Sequence, residues 1–355
     1  METEVLAIDA LKPEMNRVSR AAGFIKEEKI VVFPTETVYG IGASAYSEAA
    51  CRRIFEIKGR PADNPLIAHV SSLEMAQEIA EIPEGYLPSI KRIWPSPITF
   101  IARSRGKLPR AVTAGLDTIS IRMPAHPVAL ALIKEAGMPI AAPSANPSGK
   151  PTATNAGQAV RYFKGKVDCI IDSGRSFFGV ESTIIDLRSF TILRPGPFTI
   201  EEIERAFGKR PKVDNVARGM ASADKPVSPG TKYTHYTPDT PVMLFNGKIT
   251  ELVEILDDAP NAPSFAFIGS GESCSAMSDS FGCSTIELGK RENPYEIAKN
   301  LYDGLIALDS LKVKFGIIEA FDEKGIGLAI MNRIRKATGN RSINRADDLP
   351  ANPAK

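Results

Sequence analysis

Lys58 and Arg60 flank a single glycine, Gly59, just past a stretch with helical apolar spacing. Two long cations on a turn with no side-chain bulk between them can clamp a polyphosphate, the arginine as a bidentate fork and the lysine as a point charge. The same Lys-Gly-Arg run also suits a solvated helix C-terminus, whose dipole basic residues complement. The continuation, PADNPLIAH, places Asn64 before a strand pattern and His69 near that strand's far end. A second run, PIAAPSANPSGKPTAT from Pro139 to Thr154, sends an apolar strand straight into Ser144, Asn146, Ser148 and Thr152. Ligands of α/β sheets gather where strands end, and successive backbone N–H groups in such a turn can form an anion-binding nest. A plain Pro/Gly loop is the alternative for this segment.

Five further runs carry polar chemistry. FPTETVYGIG, Phe33 to Gly42, is a strand leading into Thr35, Thr37 and Tyr39, with Gly40 and Gly42 permitting close backbone approach. In TISIRMP, a period of two puts Thr118, Ser120 and Arg122 on one face of a strand. A cation on a buried strand requires an anion, either a substrate carboxylate or an internal partner. FGVESTIIDL and LRPGPF contribute Ser182 and Arg194, and SPGTKYTHYTP contributes Tyr233, His235 and Tyr236, an aromatic cluster suited to a lid or to interdomain packing. No GxxxxGK[ST] run exists, so a P-loop is excluded. GIGLA at Gly325 to Ala329 is a poor dinucleotide fingerprint, because Ile330 takes the place of the third small residue; it reads as a strand-to-helix turn.

The elements that must hold these runs alternate helix and strand. Pro13 opens a helix with the stripe Met15, Val18, Ala22 and Ile25, and Ile30 to Phe33 follows as a strand. Ser47 caps the next helix, Leu66 to Val70 is a strand, and Ser71 with Glu74 forms a capping box. Strands are expected at Ile98–Ala102, Ile119–Met123, Pro139–Ala142, Val167–Asp172, Ser182–Leu187 and Thr191–Leu193, the last two as an antiparallel pair. The fold class is α/β: a twisted, mixed parallel and antiparallel sheet over residues 13–207, then a linker or lid at 208–240. A small Rossmann-like domain at 241–340 and a disordered tail at 341–355 complete the chain.

At 355 residues the chain is too long for one ordinary core, which agrees with two domains. With 43% hydrophobic and 24% charged residues it is neither disordered nor fibrous, and a net charge of +2 gives no global argument for a polyanion partner. Lys91, Arg92, Arg103, Arg105, Lys107 and Arg110 fall in a stretch without acidic residues, a solvated face or a local polyanion rim. Cys51, Cys169, Cys274 and Cys283 form no CxxC and stand apart from His69, His126 and His235, so no zinc site is expected. No membrane span and no signal peptide are read, and a reducing cytoplasm is the expected location.

Taken in order, PTETVYG, KGRP with NPL and His69, the SIR of TISIRMP, PSAN, GVEST, RPG and SPGTKYTHYTP resemble the threonylcarbamoyl-adenylate synthases of the YrdC type. The match extends over nearly the whole chain and is to the family's long form, with a C-terminal Rossmann-like domain. That resemblance implies a nucleotidyltransferase that joins L-threonine, bicarbonate and ATP into threonylcarbamoyl-AMP, releasing pyrophosphate, as the first step of tRNA threonylcarbamoyladenosine modification. It implies Lys58 and Arg60 as catalytic groups, and ATP held by Arg60, Asn64, Thr118, Ser144, Asn146, Thr152, Arg194, Tyr233 and Tyr236. Threonine would be held by Thr37, His69, Arg122, Ser182 and the backbone at Ala142. Thr231 departs from the methionine usual in the family's linker.

The chemistry suits those residue types: a carbamate oxygen attacks the α-phosphorus while charge builds on pyrophosphate, which cations stabilise. No protein metal site is expected; Mg²⁺ would be held mainly by the ATP phosphates. Downstream tRNA-modification proteins are the expected recipients of product, and direct tRNA contact is left open. A non-catalytic RNA-binding protein using the same domain is the alternative reading. A carbamoyl transferase of the hydrogenase-maturation kind is disfavoured, because its zinc-finger cysteines are missing.

Overall fold

The computed structural model describes residues 2–220 and 236–350, which fall into two compact units. One comprises residues up to 148 and from 152 to 220; the other takes 149–151 and residues from 236 onward.

The first unit is built on a mixed sheet of 12 strands among the described residues. Its order is Glu4–Ala7, Cys169–Asp172, Val31–Phe33, Gly40–Ser44, Ile140–Ala142, Ile67–His69, Thr118–Arg122, Ile98–Ser104, Thr183–Asp186, Thr191–Arg194 and Lys212–Val213, with Ala80–Glu81 also paired to Ile98–Ser104. Alternation along these strands sorts the core into two layers. Val31, Phe33, Cys169 and Ile171 point into a layer that also holds Val18, Ala22 and Ile25 of helix Met15–Lys26 and Val128 and Leu132 of helix Pro127–Ala136. Val32 and Ile170 point the opposite way, into the larger layer with Ile54, Phe100 and Phe163. A sheet with apolar residues on both faces needs helices on both, which is why its strands read as continuous apolar runs.

Local signals locate most helix starts. Ser47 accepts from the Ala50 N–H, and Thr199 with Glu202 forms a reciprocal capping box. The expected Ser71/Glu74 box does not form: Ser72 is the cap and accepts from the Met75 N–H, one residue later than read. Met15 begins its helix but is 52% exposed, so the buried stripe starts at Val18.

Three segments read as lying outside regular structure are built into sheets. Glu4–Ala7, ahead of the expected start at residue 13, pairs in parallel with Cys169–Asp172. Lys212–Val213, inside the expected linker, extends the sheet beside Thr191–Arg194. The tail expected to be disordered from 341 contains Ser342–Ile343, which pairs with Val242–Phe245, and a turn of 3₁₀ helix at Ala346–Asp348. These are edge strands too short to show a period, so composition alone misjudged them.

The second unit is a sheet of five strands, in the order Ser284–Gly289, Phe265–Ser270, Phe315–Glu319, Val242–Phe245, Ser342–Ile343, every pairing parallel. Gly325 and Ile326 form the turn that enters helix Gly327–Thr338, and Gly327 to Ala329 of GIGLA are that helix's first residues.

Gly196 is required sterically. A Cβ there would stand 2.3 Å from the Thr183 nitrogen, 2.5 Å from the Ser182 carbonyl carbon and 2.6 Å from the Glu181 oxygen, all main chain. Gly196→Ala is expected to destabilise the protein by about 1–3 kcal/mol through forced separation of those segments. A denaturant midpoint equal to wild type would show that the backbone yields freely.

Candidate active site

Strand Ile67–His69 organises the site. It pairs in parallel with Thr118–Arg122, His69 opposite Arg122, and antiparallel with Ile140–Ala142, Ile67 opposite Ala142. In-register neighbours point to the same face, so His69, Arg122 and Ala142 lie on one side of the sheet. Thr118 shares that face at the opposite end of its strand, about 13 Å from Arg122 at the ordinary rise per residue. Asn64 precedes the Ile67–His69 strand, on Thr118's side of the array.

The loops at the strand ends are tied to one another. The Tyr39 N–H donates to the Ala153 carbonyl, the Ala145 N–H to the Tyr39 carbonyl, and Gly40 bridges Ser144. Lys58 ends helix Glu48–Lys58, where Gly59 in the left-handed region (φ 61°) turns the chain. The buried Lys58 ammonium donates to the Ser144 carbonyl at 2.6 Å and also to the Asn146 carbonyl, with Asn146 Oδ1 at 3.4 Å. Ser144 Oγ donates to Asn146 Oδ1 at 2.6 Å, and the Ser148 N–H returns to the Lys58 carbonyl. Arg60 donates forward along the chain, to the Pro65 carbonyl at 3.2 Å and the Asn64 carbonyl at 3.4 Å. Lys58, Ser144 and Asn146 are therefore one bonded cluster, with Arg60 and Asn64 a second beside it in sequence.

Ser182 and Arg194 also meet: Arg194 Nε donates to the Ser182 carbonyl at 3.0 Å and its Nη2 to Ser182 Oγ at 3.1 Å. Thr152 donates to buried Glu181 at 2.9 Å, the residue preceding Ser182. Thr37 is fully buried and shares a hydrogen bond with Thr35 at 2.8 Å. Tyr236 belongs to the second unit, its ring 5.1 Å from that of Tyr302. Tyr233, His235 and Thr231 lie outside the described residues.

Two carboxylates in this region were not singled out from the sequence. Glu36 bonds Arg122 Nη2 at 2.7 Å, the side chains being 8% and 4% exposed. The rule that a buried cation needs an anion called for such a partner, and PTETVYG contained it. Glu181 is the other. Both stand inside motifs read for their hydroxyls.

Electrostatics follow burial. Desolvation, reinforced by the Arg60 charge and opposed by Glu181, pulls the Lys58 ammonium well below the usual lysine range. Burial and the Arg122 charge hold His69 down at about 3, so the imidazole is neutral; Nδ1 lies 3.1 Å from the Ile67 carbonyl and the ring meets Phe33 edge-on. Burial pushes the Cys51 and Cys169 thiols up to about 12, so neither is a thiolate nucleophile. Among the described residues no group of three or more His, Cys, Asp or Glu is placed to hold a metal, and no helix is long and apolar enough to cross a membrane.

A Sua5/YciO/YrdC family model, described as telomere recombination, matches residues 23–196, and a model for the threonylcarbamoyl-AMP synthase C-terminal domain matches 198–339. Threonylcarbamoyl-AMP synthase of Pyrococcus abyssi is 45% identical over 337 residues, 92% of this chain and 95% of that protein. The Bacillus subtilis protein of the same name is 40% identical, covering 94% and 96%. The crystal structure of P. abyssi Sua5 complexed with L-threonine superposes with a TM-score of 0.87 at 43% identity, covering 96% of this chain and 99% of that one.

His69 gives a pH prediction. Its folded value of about 3 lies below the unfolded value of about 6.5, so between the two the unfolded chain binds the extra proton. The stability from keeping it neutral is complete above about pH 6.5 and falls as pH drops, by about 1.4 kcal/mol per unit. His69→Gln should therefore show a shallower loss between pH 7 and 5 than wild type in urea titrations; equal losses would mean that His69 is not held neutral.

Proposed function

The chain belongs to the threonylcarbamoyl-AMP synthases, and on that premise we propose how its own residues join L-threonine, bicarbonate and ATP into threonylcarbamoyl-AMP and pyrophosphate. The observation that carries the assignment is the Lys58–Ser144–Asn146 cluster, which fixes a buried cation against a turn of polar donors beside Arg60.

Threonine's amine, once neutral, forms the N–C bond with the carbon of bicarbonate, water leaves, and the carbamate oxygen attacks the α-phosphorus of ATP. The α–β phosphoanhydride bond breaks and its electrons depart with pyrophosphate. Lys58 and Arg60 serve as the cations facing that growing charge, a contribution of positioning and electrostatics. Ser144, Asn146, Asn64, Thr118, Thr152 and Arg194 form the ATP side; Asn64 is 1% exposed and its Oδ1 has no partner among the described residues, which suits a donor on the nucleotide. Thr37, His69, Arg122, Ser182 and the backbone at Ala142 form the threonine side, with neutral His69 adding no charge to repel the ammonium. Tyr233 and Tyr236 are assigned to the covering linker. Mg²⁺ would arrive on the phosphates, since among the described residues no group of three or more His, Cys, Asp or Glu is placed to hold it.

We assign catalysis to residues 13–207 with the strands Glu4–Ala7 and Lys212–Val213 that extend their sheet, covering to the rest of 208–240, and a separate small domain to 241–340 with Ser342–Ile343. The product is the precursor for tRNA threonylcarbamoyladenosine and passes to downstream modification proteins, in the cytoplasm, where the free cysteines stay reduced.

Pyrophosphate release measured with threonine or bicarbonate omitted in turn tests the reaction: release must require both, and release independent of either refutes the synthase reading. Arg60→Ala, and Lys58→Met to keep the stem's packing, should each lower turnover by about 100-fold or more with the fold intact. Near-normal turnover in either would remove that cation from the phosphate role.

A further inference from the structure

The Glu36–Arg122 ion pair is incomplete in a specific way. Glu36 Oε1 is bonded to Arg122 Nη2 at 2.7 Å, yet Glu36 Oε2 and Arg122 Nε, both shielded from bulk water, have no hydrogen-bond partner among the described residues. A buried carboxylate oxygen and a buried guanidinium N–H left unsatisfied are each costly, and more so when the group is charged. One pair thus carries both a spare acceptor of negative character and a spare donor of positive character. Free amino acids present the inverse, an ammonium and a carboxylate one carbon apart.

Neighbouring groups do not supply the missing partners. His126, the N-cap of helix Pro127–Ala136, senses the Glu36 charge, but its Nδ1 accepts from the Val128 N–H. Thr35 and Thr37 are bonded to each other, and Thr35 Oγ donates to the Val38 carbonyl at 2.6 Å. The Glu36 main chain is anchored too, its carbonyl accepting from the Phe178 N–H at 2.9 Å. The backbone that carries the carboxylate is therefore fixed.

We propose that Glu36 receives the α-ammonium of threonine on Oε2 while Arg122 takes the α-carboxylate, so that the ion pair reads the substrate as a zwitterion. This rests on the synthase reading and adds to it a residue that selects for the amine, the group that must form the N–C bond. Holding the ammonium at a fixed carboxylate sets the direction of the nitrogen before its lone pair is released. It also excludes hydroxy acids, which keep the carboxylate and side chain of threonine without its nitrogen.

The test is calorimetric binding of L-threonine and of (R)-3-hydroxybutanoate, which lacks only the amine, to wild type and Glu36→Gln. Wild type should prefer threonine by about 100-fold, and Glu36→Gln should narrow that to less than about 10-fold with 3-hydroxybutanoate affinity moving by less than about 3-fold. Equal weakening of both ligands would show that Glu36 only props Arg122 and would overturn the proposal, as would an unchanged preference. Should Glu36→Gln not fold, a crystal structure of wild type with threonine decides: the nitrogen within about 3.2 Å of Oε2 supports the contact, and a nitrogen satisfied elsewhere overturns it. Absence of threonine binding to wild type, together with threonine-independent pyrophosphate release, would instead refute the synthase reading itself.

Discussion

A lysine ammonium taken out of water must be surrounded by oxygen, and at Lys58 that requirement shapes the first unit. The oxygens come from the main chain of residues 144 and 146 and from the side chain of Asn146, so the end of one helix and the loop after a central strand are fixed by a single charge. Burial and the Arg60 charge make that ammonium reluctant to stay protonated, and Glu181 works against them. An incoming polyphosphate would relieve the same tension, because it brings negative charge to a group that the protein itself surrounds mainly with dipoles. A point charge on a flexible stem can exchange partners in this way, whereas the forked guanidinium of Arg60 is better suited to a fixed bidentate grip.

The second constraint is strand direction. Ile67–His69 runs parallel to Thr118–Arg122 and antiparallel to Ile140–Ala142. A purely parallel sheet would send every strand's loop to one edge. This mixture puts the loop after Ala142 at the edge where Ile67–His69 begins, beside Asn64, while His69 and Arg122 end their strands at the other edge. One face of three strands can then offer donors for a long, two-part ligand along its length instead of a single crevice.

The motifs and the order of the larger elements were legible because long apolar runs and caps such as Ser47 are local signals. Edge strands of two to four residues were not: Glu4–Ala7 and Ser342–Ile343 owe their conformation to partners more than 90 residues away. The site showed the same division. Hydroxyls and cations stood out by type, but Glu36 was passed over in favour of the threonines on either side of it. A carboxylate in sequence looks like solvent-facing polarity until the buried cation it answers is located, and Arg122 lies 86 residues further on.

The second unit shows why sheet topology alone does not assign chemistry. Its parallel sheet brings the end of strand Phe265–Ser270 to the N-terminus of helix Gly271–Phe281, where a nucleotide phosphate would ordinarily sit. That position is filled from within. Glu319 at the end of its strand accepts from the Ser270 N–H, from Ser273 Oγ at 2.9 Å, and from Arg291. A Cβ at Gly269 would stand 2.6 Å from the same carboxylate, so the glycine there admits Glu319 and not a ligand. The anion that the helix end attracts is part of the fold, and this is a physical reason, beyond the imperfect GIGLA spacing, for placing nucleotide chemistry in the first unit.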